Sequence, residues 1–132
     1  AKRAADLDDL WITAGGMLAS GDDVASLRDF ARPIVALYVG GMGAKGRNFY
    51  NDLVCRYGFE KEAAEIQDLY LAGKKQEAAA SIPLAMVEDV ALVGPPDKIR
   101  GELAQWKETC ITTFMVGGPK QMLPLYADLI LG

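Results

Sequence analysis

Two short apolar runs, far apart in the chain, most limit what this sequence can fold into. Leu10-Trp11-Ile12-Thr13-Ala14-Gly15-Gly16-Met17-Leu18-Ala19 and Ile111-Thr112-Thr113-Phe114-Met115-Val116 are β-rich and lack a helical period. Neither alternates apolar with polar residues, so each reads as a strand covered on both faces, as in a parallel sheet. Between them apolar residues recur at three- and four-residue spacing, the mark of helices packed by one stripe. The order is strand, three or four helices, a strand-like piece at Val90-Ala91-Leu92-Val93, helix, strand, helix. That is an α/β class chain, mostly helical by content, with a helical insertion over about residues 22–90. Two good strands cannot supply their own neighbours, so the sheet is expected to be completed from outside this chain. Residues 1–132 are therefore expected to form a single partial domain.

Local signals place the boundaries. Asp22 or Asp23 is suited to cap a helix whose stripe runs Val24, Leu27, Ala31, Ile34 and Leu37, with Pro33 expected to kink it. Gly40 to Gly46 reads as a loop. Asn48 can cap the next helix, with Phe49, Leu53 and Tyr57 as its expected buried face and Gly58 as its stop. A helix from about Glu60 to Ala72 buries Ala63, Ile66, Leu69 and Tyr70 and ends at Gly73, and two short helical pieces follow, divided at Pro83. Gly94-Pro95-Pro96-Asp97 is a turn into a helix carrying Ile99, Leu103 and Trp106 on one face. After the second β-rich run, Gly117-Gly118-Pro119 leads into a last helix through Leu131.

Composition removes several function classes. The chain has 132 residues, a net charge of −4 and no basic run, so a nucleic-acid surface is not expected. No apolar stretch reaches the roughly 18 residues of a membrane span, and no signal-peptide core follows the start, so the expected home is the cytoplasm. Histidine is absent, which excludes Ser-His and Cys-His nucleophiles and most zinc chemistry within this chain. No metal site is expected. Cys55 and Cys110 sit among apolar neighbours and are expected to be buried thiols.

Few residues suggest chemistry. Gly41-Met42-Gly43-Ala44-Lys45-Gly46 fits the dinucleotide pattern G-x-G-x-x-G, but that pattern needs a preceding strand, and here a helical stripe precedes it. A tightly packed inter-helix loop is the plainer reading. Lys45 and Arg47 in that loop are either solvated charges or holders of an anionic group, to which arginine is suited by its paired donors. Gly117 and Gly118 are either an ordinary turn or a close approach for a phosphate at a helix start. The aromatic residues Phe49, Tyr50, Tyr57, Tyr70, Trp106 and Tyr126 recur with aliphatics, as core or subunit contacts. No carboxylate pair stands out as an acid–base dyad, and no catalytic residue is assigned.

The second half, Leu92-Val93-Gly94-Pro95-Pro96-Asp97-Lys98-Ile99-Arg100 with Trp106-Lys107-Glu108-Thr109-Cys110 and Ile111-Thr112-Thr113-Phe114, resembles the closing unit of the luciferase-like oxidoreductases. Pro95 and Asp97 stand where that family usually has Thr and Glu. Upstream, Leu37-Tyr38-Val39-Gly40-Gly41-Met42-Gly43 with Asn48-Phe49-Tyr50-Asn51 resembles the insertion of its coenzyme F420-dependent branch. The resemblance implies the C-terminal portion of a (β/α)₈ TIM barrel, contributing its last two strands, with Trp11-Ile12-Thr13-Ala14 as the penultimate one. It implies an oxidoreductase that passes a hydride between deazaflavin and a small organic substrate, with coenzyme F420 as cofactor and FMN as the alternative. Lys45, Arg47, Gly117 and Gly118 would then be cofactor-binding. The strands that carry the chemistry would lie elsewhere, leaving this chain inactive alone. A second copy of the chain is the expected protein partner, and a helical interaction or dimerisation module without chemistry is the alternative from another class.

Overall fold

A computed structural model describes residues 10–117 and 120–132. Three parallel strands form one sheet: β1 (Thr13–Ser20), β2 (Ala91–Gly94) and β3 (Thr113–Gly117). The sheet order is β2-β1-β3, with Met17 opposite Ala91 on one side of β1 and Thr13 opposite Thr113 on the other. The expected count of two strands is therefore corrected to three. The piece around Leu92 is a true strand, all four of its residues buried, and it is short because Gly94 and Pro95 end it.

Between β1 and β2 lie α1 (Val24–Ala36), a π-helical turn (Leu37–Gly41), α2 (Phe49–Arg56), α3 (Glu60–Leu71), α4 (Lys75–Ala80) and α5 (Leu84–Val90). After β2 come α6 (Pro96–Lys107), β3, a short 3₁₀ turn and α7 (Leu123–Leu131). The pleat divides the core. Met17, Ala19, Ala91 and Val93 point to a cluster built by α1 to α5, with Ala31, Ile66, Met86 and Val87 at its centre. Leu18 and Leu92 point the other way, to Ile99 and Leu103 of α6 and Tyr126 and Leu129 of α7. Around β2 and the carboxyl half of β1 both faces of the sheet are covered, as their apolar runs require, whereas β3 has no fully buried residue and Met115 is 58% exposed. The path from β2 to β3 crosses over β1 in the opposite direction and on the opposite face from the path β1 to β2. The two crossovers therefore share one hand, as parallel connections must.

Asp23 caps α1, its carboxylate accepting from the Ser26 N–H at 3.2 Å and the Ser26 hydroxyl at 2.6 Å. Pro33 lies inside α1 without ending it; the ladder opens one turn later, into the π-helical turn. The missing Pro33 N–H leaves one carbonyl without its intrahelical donor, which loosens the register there. The expected buried face of α2 is corrected. Phe49 is 67% and Tyr57 55% exposed, while Val54 is buried. Cys110 is exposed and Cys55 half-buried, so the expectation of two buried thiols fails at Cys110, which lies in the bend before β3 rather than in the strand.

Candidate functional site

The glycine-rich segment owes its shape to two asparagines. In a π-helical turn the hydrogen-bond ladder slips, and carbonyls lose their partners. The buried Asn48 side chain donates to the carbonyls of Tyr38 and Val39 at 3.0 and 2.9 Å, while its oxygen accepts from the N–H groups of Tyr50 and Asn51. Asn51 adds donation to the carbonyls of Val39 and Ala63 at 3.1 and 2.9 Å. One residue thus caps α2 and closes the loop from the π turn, and the other ties that loop to α3. Gly40 and Gly41 face the Tyr70 ring of α3 so closely that a Cβ at Gly40 would come within 2.5 Å of the Tyr70 Cβ. Gln67 donates to the Gly43 carbonyl at 3.3 Å.

The loop is thus a packing device between helices. A helix, not a strand, precedes Gly41-Met42-Gly43-Ala44-Lys45-Gly46, so the dinucleotide reading lacks its structural context. Tyr38, Tyr50 and Phe49 stack edge to face beside the loop, with ring centroids 4.7 and 5.5 Å apart along the chain of three.

The four residues expected to hold a cofactor fall into two places. Lys45 and Arg47 project from the loop in the helical layer, and Lys45 forms an ion pair with Asp68 of α3. Arg47 is exposed, and no ion pair holds it among the described residues. Gly117 ends β3, where a Cβ would meet nothing within 4 Å, so no close approach demands glycine there. Gly118 lies outside the described residues. The π turn that leads into the loop packs on α1, α2 and α3, and β3 packs on β1. The loop's one uncommitted cation could hold an anionic group, but the described residues do not wrap a ring-sized ligand between loop and strand end, and no reaction step is assigned to them.

At the carboxyl ends of the strands, Ser20 is 7% exposed and its hydroxyl has no partner among the described residues. Tyr126 of α7 lies beside it. Burial pushes the Tyr126 hydroxyl above its ordinary pKa, and a backbone hydrogen bond with Ser20 offsets this in part. The sequence hid this pair, because a serine ending a strand looks like turn chemistry and a tyrosine among leucines looks like core. A cleft of about 650 Å³ lies at the opposite, amino end of the sheet, bordered by Gly15, Gly16, Val90, Trp106 and Phe114.

A parallel α/β chain with a long helical excursion after its first strand, closed by a π turn and two asparagines, defines the structural class. The luciferase-like monooxygenase family model matches residues 1–113, and the chain belongs to that family. It is 35% identical over 122 residues to the Mycobacterium tuberculosis protein named "Putative coenzyme F420-dependent oxidoreductase Rv3520c", a match that covers 91% of this chain and 35% of that protein. The chain thus spans about a third of the length of the curated relative it matches. No solved structure matches it. Among the described residues, no helix is long and apolar enough to cross a membrane.

Proposed function

We propose that the chain is the C-terminal part of an F420-dependent oxidoreductase of the luciferase-like family, one that passes a hydride between the deazaflavin and a small organic substrate. The observation that carries this reading is the 35% identity, along nearly the whole chain, to a relative named for that coenzyme. In the complete protein β1 and β3, which pair directly, would join a (β/α)₈ barrel as its last two strands, and active sites of such barrels gather at the carboxyl ends of the strands. Arg47, from the loop latched by Asn48 and Asn51, would hold an anionic group of cofactor or substrate, with Lys45 released from Asp68 to assist. Gly117 and Gly118 would flank a phosphate. The chemistry when F420 is bound is hydride transfer at the deazaflavin ring, and the groups that act on it would come from strands outside this chain. Alone, the chain is catalytically incomplete. The family's description as a monooxygenase favours one second reading, an FMN-dependent enzyme.

Titration of the chain with F420, and separately with FMN, following cofactor fluorescence, tests the proposal. The expected result is weak binding of both, with F420 binding restored when the upstream segment of the parent enzyme is supplied. Tight F420 binding by the chain alone would overturn its incompleteness, and restored binding of FMN instead would overturn the choice of cofactor. In the complete enzyme, Arg47→Ala should raise KM for one anionic ligand by about tenfold, the scale of one lost charge-assisted contact, with kcat little changed. An unchanged KM would remove Arg47 from the site.

A further inference from the structure

We draw no further inference here: the strongest candidate, the outward apolar face of α1 and the π turn that Phe30, Ile34 and Tyr38 form, carries nothing because nothing in the structure shows what covers it, a second copy or the remainder of the longer parent protein.

Discussion

Asn48 stands out among single residues because its side chain is fully used and almost wholly buried, at 1% exposure. Replacing it with alanine would remove the cap of α2 and strand the carbonyl of Tyr38, while Val39 would keep Asn51 as a donor. The expected loss of stability is roughly 2–4 kcal/mol, read by denaturant unfolding, from a lost cap plus a buried unpaired group. Asn48→Asp keeps the acceptor and loses the donor, so it should fall between alanine and the native residue. The sequence shows Asn48 as a cap, but its reach back to Tyr38 and Val39 was not legible, because no spacing rule connects a cap to a π turn ten residues earlier. Asp23 gives a second test, in pH. Its hydrogen bonds from Ser26 hold its carboxyl below the usual value of 3.8. A lowered folded-state pKa means that its contribution is present above the ordinary carboxylate range and fades as pH falls through the folded value. Asp23→Asn keeps the cap without ionising. Far-ultraviolet circular dichroism across an acid titration should show the native chain losing its advantage over this variant below about pH 4. A constant difference at all pH values would assign the effect to packing instead.

At the level of elements, the β1·β3 pair depends on Gly15. Its φ of +147° lies in a region that other residues rarely adopt, and a Cβ there would overlap the carbonyl oxygen of Met115. Gly15→Ala should cost roughly 2–3 kcal/mol through strain and strand separation, whereas Gly16→Ala, one residue on, should be neutral within about 0.5 kcal/mol. Equal effects at the two positions, measured by urea unfolding, would refute this division of roles. The glycine pair reads in the sequence as a close approach by something, but which glycine and which neighbour depends on β3, nearly a hundred residues away. Helices were more legible than strands for the same reason. The stripe of α3 and its stop at Gly73 are local, and so is the cap at Asp23. The buried face of α2 is not local. Phe49 and Tyr57 point outward because α3 and the π turn take the side bearing Val54, a choice that hydrophobicity alone ranks the other way.

For the whole molecule, the sequence shows succession and not adjacency, so it could not reveal that β1 is the central strand. In a barrel of consecutively ordered strands β2 would lie between β1 and β3; here β3 has crossed to the far side of β1. The two outer edges of this sheet are unequal. Around β2, Arg28, Glu88, Lys98 and Glu102 form a charged group, and Lys98 donates to the Val93 carbonyl at 3.1 Å, guards of the kind that keep edge strands from pairing. β3 carries no charge from Thr113 to Gly117, and Met115 is 58% exposed. Its free side is a template for another strand, and a net charge of −4 repels other copies only weakly. The chain should therefore self-associate through β3, its weight-average mass in sedimentation rising with concentration, and Met115→Lys should suppress that rise without lowering the thermal transition. A second apolar surface competes for the same outcome: Phe30, Ile34 and Tyr38 form an exposed stripe along α1 and the π turn. If Phe30→Lys suppresses association and Met115→Lys does not, the helices and not the strand edge join the copies, and the dimerisation-module reading gains what the strand-edge argument loses.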